Sequence, residues 1–170
     1  LPDAHSQAPS PVSALLSGAL LNIALLALLR FKAIVDVTAG PEFSQTILVA
    51  FGVISIVVAS ALILTQKHYK RLLAYSSVEH MGIIALGFAL GGVAAVAALL
   101  HALYHSLAKA MLFLSSGNIL LRYQVTEIHK VKGLLRTLPF TGFFFFAGLL
   151  AVAGVPPFGT FLTEFAIFST

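Results

Sequence analysis

The chain has little charge and no cysteine. Of its 170 residues, 9% are Asp, Glu, Lys or Arg, and neither cysteine nor tryptophan occurs. Soluble domains contain about 25% charged residues, so the composition lacks the polar surface of a water-soluble protein. Without cysteine, a disulfide framework and a thiolate-bound metal cluster are both excluded. Hydrophobic residues make up 59% of the chain and the mean hydropathy is +1.00, which predicts a polytopic membrane protein in a lipid bilayer.

Other functional patterns are also missing. The net charge of +4 is attributed to basic loops and not to nucleic-acid binding, because no run of base-reading residues or stacking aromatics accompanies it. No spacing fits a metal site, a phosphate-binding loop or a nucleophile with its base. The chain starts at Leu1 and stops within an apolar stretch, so we expect it to be an internal part of a longer subunit.

Long apolar segments dominate what is present. A helix needs about 20 apolar residues to cross a bilayer, and five segments approach or exceed this length. They are 11–31, 45–66, 72–90, 93–121 and 140–170, the last broken at 154–159. The sequence therefore predicts an all-α transmembrane helix bundle, with a polar start, a loop at 32–44 and two basic loops.

The distribution of basic residues predicts the orientation. Each crossing reverses the side, so residues 1–10, 67–71 and 122–139 share one face of the membrane. That face carries seven basic residues, and the opposite face carries only Arg30 and Lys32. By the positive-inside rule, we expect loops 67–71 and 122–139 to be cytoplasmic. We expect the membrane to be the inner (plasma) membrane.

Three ionisable residues fall near the centre of the fourth segment. His101, His105 and Lys109 are spaced i, i+4, i+8, which places them on one helical face. Ionisable groups inside a membrane are costly and usually face a water-filled cavity or a proton relay. Histidine titrates near neutrality and suits proton exchange. The pattern predicts a proton relay; the alternative is a polar face that joins helices.

Glu164 follows the break in the fifth segment. The break contains Pro156-Pro157, and proline disrupts a helix and leaves backbone carbonyls unpaired. Broken helices with nearby ionisable residues are typical of ion sites in transporters. The alternative is that the helix ends at Ala153 and that Glu164 begins a surface loop.

Further polar residues lie in the third and first segments. Glu79 and His80 belong either to the relay, where Glu79 could pair with Lys109 or a histidine, or to an interfacial cap network. Ser17 and Asn22 cannot store a proton but can hold water. The remaining histidines are expected to be solvated. They are His5, His68 and His129.

Four motifs carry a family resemblance. They are LPDAHSQAPSPVSALLSG at 1–18, LAYSSVEHMG at 73–82, HALYHSLAKAMLFLSSG at 101–117 and AGVPPFGTFLTEF at 153–165. In this order they resemble the antiporter-like proton-translocating membrane subunits of respiratory complex I, related hydrogenases and Mrp antiporters. Within this family, the sequences of these motifs are most similar to those of the membrane subunits of hydrogenase-4 and formate hydrogenlyase.

The resemblance implies a fold of two inverted five-helix repeats, each with a broken helix. This chain then holds the last helix of the first repeat and most of the second. Lys109 matches the central-axis lysine of the family, with His101 and His105 beside it. Glu164 matches the ionisable residue on the second broken helix. Several relatives have lysine or histidine where this chain has Asn22 or Ser17.

The resemblance also implies a function: proton translocation coupled to electron transfer in a complex I-like NADH:quinone oxidoreductase or a membrane-bound hydrogenase. The chain would be a non-redox subunit without catalytic residues or a cofactor, beside other membrane subunits and partners that carry iron–sulfur clusters and other redox centres. Two alternatives stay open: an Mrp-type sodium/proton antiporter subunit, which moves Na⁺ as well as protons, and an inactive structural subunit.

Overall fold

The computed structural model describes residues 1–170 and consists of helices and their connections, which confirms the all-α prediction. The helices are α1 (Pro2–Gln7), α2 (Ser10–Ala39), α3 (Pro41–Leu64), α4 (Tyr69–Leu90), α5 (Gly92–Tyr123), α6 (Leu134–Thr137), α7 (Pro139–Val152) and α8 (Gly159–Phe168), with a 3₁₀ turn at Ile128–Lys130. Helices α2 to α5 are each long and apolar enough to cross a membrane. The predicted fifth segment consists of α7 and α8, which are shorter apolar helices.

The predicted loop at 32–44 is largely helical. Helix α2 continues to Ala39, and Gly40 alone, with φ of 85°, joins it to α3. The polar residues of this region satisfy one another. Lys32 donates to Asp36 one turn later at 2.6 Å, and Ser44 of α3 donates to the same carboxylate. An i, i+4 ion pair stabilises a helix, which is why these charges do not end α2.

Helix α2 contains a π-helical segment at Leu16–Leu20. Insertions of this kind interrupt the regular hydrogen-bond ladder and often occur at functional sites. Here the segment carries Ser17, whose side chain is fully buried. The stretch contains Gly18, whose Cβ position is 3.3 Å from the Ser106 carbonyl oxygen of α5.

Helices α4 and α5 form the centre of the bundle. About half of the membrane-spanning window of each is buried, against 17% for α2 and for α3. Small side chains permit close helix packing in membranes, and three of the six residues in the buried apolar cluster between these helices are alanines. This cluster comprises Ile83, Ile84, Ala97, Ala98, Ala102 and Ile167. The large apolar side chains of α2 and α3 are mostly exposed, as expected for surfaces that meet lipid or other helices.

A close backbone approach joins α3 to α4 at two glycines. A Cβ on Gly52 would lie 3.0 Å from the carbonyl oxygen of Gly82, and a Cβ on Gly82 would lie 2.8 Å from that of Gly52. Neither backbone can move away without separating the helices. The two glycines therefore set the distance between α3 and α4.

We expect Gly52→Val to destabilise the protein because its side chain must displace the Gly82 backbone. Overpacking of this kind typically costs about 1–3 kcal/mol. The thermal unfolding midpoint in detergent measures the effect. Ala61→Val adds two methyl groups at an exposed position of the same helix and serves as the control. Equal midpoints for the two variants would contradict the predicted role of this contact.

The N-terminal segment and the two basic loops lie at the same end of the bundle, as the crossing pattern predicted. Lys70 donates to the carbonyl oxygen of Ala8 at 2.8 Å. The backbone amide of Ile128 donates to the carbonyl oxygen of Lys67 at 2.9 Å, and this hydrogen bond joins the two loops. These contacts bring most of the basic residues together on one side.

The three histidines expected to be solvated differ in environment. His5 is fully buried and stacks on Phe113 with ring centroids 5.0 Å apart, so the expectation is wrong for this residue. The short helix α1 folds against the bundle and carries His5 inside. His68 is half-buried and lies 2.9 Å from the Thr126 hydroxyl. His129 is exposed beside Glu127.

Candidate functional site

Lys109 lies at the centre of the bundle on α5 and is fully buried. Its Nζ donates to the carbonyl oxygen of Leu73 at 2.8 Å and to the hydroxyl of Ser76, both on α4. No carboxylate lies within ion-pair distance of Nζ. The amine is therefore held by neutral acceptors only, an arrangement far costlier in a membrane than an apolar side chain.

Hydroxyl groups connect the Leu73 carbonyl to α2. The Ser77 hydroxyl donates to Leu73 at 3.1 Å and lies 2.8 Å from the hydroxyl of Ser17. Ser17 in the π-helical segment is therefore two hydrogen bonds from the carbonyl that binds Lys109. Asn22 does not take part in these hydrogen bonds. Its Nδ2 donates instead to the hydroxyl of Ser106 on α5 at 2.6 Å.

Three histidines meet on the other side of this region. His80 of α4 lies between His101 and His105 of α5, with ring-centroid distances of 5.0 and 5.2 Å respectively. All three are buried. The Nδ1 atom of His80 is 2.8 Å from Nε2 of His101. Both ring nitrogens of His105 lack a hydrogen-bond partner, so this buried ring is available to accept or donate.

Glu164 reaches the same histidines from α8. Its Oε1 atom is 3.7 Å from His80 Nδ1 and 3.9 Å from His101 Nε2. The side chain is 22% exposed, so one side of the carboxylate remains open. Because Glu164 belongs to a helix and contacts buried groups, the surface-loop alternative is wrong.

The break between α7 and α8 leaves no carbonyl of the last helical turn unpaired. A helix ends with four carbonyls that lack an intrahelical partner, and in a membrane these need partners within the protein. The carbonyl oxygens of Leu149 and Leu150 accept from the backbone amides of Ala153 and Val155 respectively. The Ala151 carbonyl accepts from the Gly154 amide and the Thr160 hydroxyl, and the Val152 carbonyl oxygen lies 3.0 Å from His80 Nε2. His80 thus ties the broken helix to α4.

Glu79 points away from this cluster. Its carboxylate accepts a hydrogen bond from Ser60 of α3 at 2.7 Å and pairs with neither Lys109 nor a histidine. Successive helical residues are rotated by about 100°, so Glu79 faces α3 while His80 faces α5. The predicted direct pair of Glu79 with Lys109 or a histidine is therefore absent from the structure.

Some residues of the site carried no obvious signal in the sequence. Ser76 contacts Lys109, and Thr163 lies 2.8 Å from His101 Nδ1. Their spacing offers one retrospective sign: Ser76 precedes His80 by four residues, and Thr163 adjoins Glu164. Helical neighbours at i+4 share a face, but small hydroxyl residues are too common in helices for this to identify them.

A helix bundle with a broken helix and buried ionisable groups at its centre defines a polytopic membrane protein of the antiporter-like class. The transmembrane family described as NADH:quinone oxidoreductase/Mrp antiporter matches residues 1–170, and the chain belongs to this family.

Named relatives agree with this assignment. The chain is 42% identical over 171 residues to the hydrogenase-4 component F homolog of Methylacidiphilum infernorum (isolate V4), covering 100% of this chain and 36% of that protein. It is 34% identical over 166 residues to NADH-quinone oxidoreductase subunit M of Rickettsia prowazekii (strain Madrid E), covering 97% and 34% respectively.

A solved structure is similar as well. It describes the membrane-bound sulfane sulfur reductase, an archaeal respiratory membrane complex, and one of its chains matches with a TM-score of 0.92 and 31% identity. The match covers 99% of this chain and 35% of that chain. The chain thus spans about a third of the length of these relatives.

Proposed function

We propose that this chain forms part of a proton-translocating membrane subunit in a complex I-like NADH:quinone oxidoreductase or a membrane-bound hydrogenase. The observation that carries the proposal is the line of buried ionisable groups. It runs from Lys109 along α5 to His105, through His80 and His101, to Glu164 beside the helix break. Contacts between helices do not explain the whole line, since both ring nitrogens of the buried His105 lack a hydrogen-bond partner.

Each member of the line can hold and release a proton. Lys109 and His105 are one helical turn apart on α5, about 6 Å in rise. His105 lies against His80, which approaches His101 at 2.8 Å, and Glu164 lies beyond them with one side open. A proton leaving Lys109 passes along the imidazoles to the Glu164 carboxylate. The hydroxyls of Ser17 and Ser77 extend polar contacts from the Leu73 carbonyl towards α2.

In this proposal, electron transfer takes place in partner subunits and is coupled to proton movement in this chain. In this proposal the chain has no redox centre or cofactor of its own, and other membrane subunits and the subunits carrying iron–sulfur clusters surround it. A change of charge in a neighbouring subunit alters the proton affinity of Lys109, because electrostatic interactions are strong in a medium of low dielectric constant. The basic end of the bundle faces the cytoplasm, and the membrane is the plasma membrane.

Proton uptake in inverted membrane vesicles tests the function. We expect electron transfer by the parent complex to acidify the lumen, as reported by a pH-sensitive dye, with equal rates in Na⁺-containing and Na⁺-free buffer. Electron transfer without acidification would contradict the proposal.

A second candidate is a sodium/proton antiporter subunit, which the family description itself names beside the quinone oxidoreductases. In that case an imposed Na⁺ gradient would drive proton movement without electron transfer. The same vesicles distinguish the two functions, since the antiporter requires Na⁺ and the redox-coupled pump requires an electron donor.

Gly154→Ala is expected to lower transport strongly, because it acts on the position of Glu164. Gly154 has φ of 61°, and a Cβ there would collide with the Glu164 carboxylate. Gly133→Ala is a matched control, since Gly133 has φ of 67° but nothing within 4 Å of its Cβ position. Proton uptake at equal protein levels is the measurement. Equal rates in the two variants would show that the position of Glu164 has no effect on transport.

A further inference from the structure

Tyr123, the last residue of α5, joins three parts of the basic end through its hydroxyl. It donates to the Lys132 carbonyl oxygen at 2.8 Å and lies 2.6 Å from the hydroxyl of Thr137 on α6. Arg122 precedes Tyr123, and Arg136 precedes Thr137. These contacts hold the backbone near Arg122, Lys132 and Arg136 together, although the three residues are distant along the chain. We refer to these three residues as the cation cluster.

The cation cluster has no carboxylate partner within the protein. Two other basic residues of this end are paired, because Arg71 lies 3.0 Å from Asp3 and Lys130 lies 2.8 Å from Glu127. Both carboxylates of the basic end are therefore engaged. All three members of the cation cluster are exposed, and none forms an ion pair. Their charge is left for an anion from outside the chain.

A cavity of about 180 Å³ lies at the same end of the bundle, and hydrophobic residues alone line it. They come from α4, α5, the 3₁₀ turn, the loop after it, α6 and α7, and they are Tyr69, Ile119, Ile128, Val131, Leu134 and Phe145. The hydroxyl of Tyr69 is satisfied by the Val125 carbonyl oxygen at 3.1 Å. A water molecule needs two to four polar partners, so this cavity suits an apolar occupant.

The cation cluster borders this cavity. Ile119 lies three residues before Arg122 on α5, and residues at this spacing are neighbours on a helix surface. Val131 adjoins Lys132 in the loop, and Arg136 belongs to α6, which also lines the cavity. An apolar cavity beside three unpaired cations matches a molecule that has an anionic head and an apolar chain.

This place lies where a membrane presents such molecules. Tyr69 is the first residue of α4 and Tyr123 the last of α5, and both helices are long enough to span a bilayer. The ends of spanning helices meet the lipid headgroups, where tyrosine is enriched, and clusters of Lys and Arg there attract anionic lipids. We propose that the cation cluster binds the phosphate of an anionic phospholipid, one acyl chain of which enters the cavity.

Exposed apolar side chains beside the cations favour a lipid over an acidic protein segment. Leu135, which precedes Arg136, is 64% exposed, and Phe140 at the start of α7 is 81% exposed. The acyl chains of a lipid cover such side chains while its phosphate meets the cations. Arginine suits this role because its planar guanidinium donates two parallel hydrogen bonds to a phosphate. Lipid binding here does not depend on proton transport.

Photo-crosslinking of the parent complex in nanodiscs tests the lipid site. The probes are phosphatidylglycerol and phosphatidylcholine with the same photoreactive group on one acyl chain, compared at equal concentrations. Mass spectrometry of the peptides measures labelling of residues 119–134, and we expect phosphatidylglycerol to label them preferentially. Arg122→Gln, Lys132→Gln and Arg136→Gln should each reduce this preference about 5-fold, from the attraction that one basic residue contributes at a membrane surface.

Two matched controls separate the site from general effects of charge and size. Arg30 of α2 is exposed and forms no ion pair, so Arg30→Gln removes an equivalent charge elsewhere and should keep the preference. Val131→Phe fills the cavity and should abolish labelling by both lipids. Val93→Phe makes the same change at a position that is 72% exposed and should have no effect. Thermal unfolding midpoints establish that the variants are folded.

Equal labelling of residues 119–134 by the two lipids in wild type would overturn the proposal. An absence of labelling in the assembled complex would overturn it too, and is the result expected if a partner subunit covers this face. A loss of preference in Arg30→Gln as large as in Arg122→Gln would assign the effect to overall charge instead. Soluble glycerol 3-phosphate separates the headgroup from the chain. Complete displacement of the lipid by an equal concentration of this anion would show that the cavity takes no part.

Discussion

Proton transport should fall by at least about 100-fold when Lys109 is replaced by methionine, because the central proton carrier is lost. Methionine has a similar length and no charge, so the fully buried position stays filled. The Leu73 carbonyl retains the Ser77 hydroxyl as a donor. Removing an amine that has no carboxylate partner from the interior also removes its desolvation cost. We therefore expect assembly and thermal stability to be preserved, and Lys109→Ala to lose transport as well.

The measurement is dye-reported proton uptake by vesicles with equal amounts of the assembled complex, alongside the rate of electron transfer. Lys132→Met is the control, because Lys132 is an exposed residue of the second basic loop. Normal uptake in an assembled Lys109→Met protein would exclude Lys109 from the path. It would favour the interpretation of this chain as a structural subunit.

Replacing Glu164 with glutamine is the second change with a large expected effect. Glutamine preserves the shape of the side chain but cannot take up and release a proton. Glu164 is the member of the line that is partly exposed and lies beside the helix break. We therefore expect uptake to decrease by at least about 100-fold, with electron transfer uncoupled or slowed.

Glu42→Gln provides the comparison, since Glu42 is exposed at the start of α3. Uptake is measured as for Lys109. A Glu164→Gln protein that pumps like Glu42→Gln would mean that the proton leaves the bundle by another route. Loss of uptake in the Lys109 variant alone would then mean that proton transport requires Lys109 but not Glu164.

The helices were predictable because their signal is local. Apolar runs long enough to span a bilayer defined the membrane segments, and the motifs identified the family. The errors occurred where polar residues find partners in space. The region 32–44 was predicted to be a loop, but its polar residues Lys32, Asp36 and Ser44 hydrogen-bond to one another between two helices. His5 was expected in solvent, yet α1 packs into the bundle and buries it.

The candidate site was predictable within each helix but not between helices. The i, i+4, i+8 spacing placed His101, His105 and Lys109 on one face, and the proline break singled out Glu164. Nothing local showed that Glu79 faces α3 while His80 approaches His101. The roles of these residues in proton transfer stay predictions until the variants are measured.

The sequence by itself determined the membrane class, the helices and the family, because composition, hydropathy and ordered motifs are properties of consecutive residues. Only the tertiary structure decided which atoms meet. His80, His101 and Glu164 come from three helices, and their side chains converge where small residues such as Gly87 and Ala98 let α4 and α5 approach closely. No spacing along the chain encodes a contact of this kind, since it depends on how helix faces pack against one another.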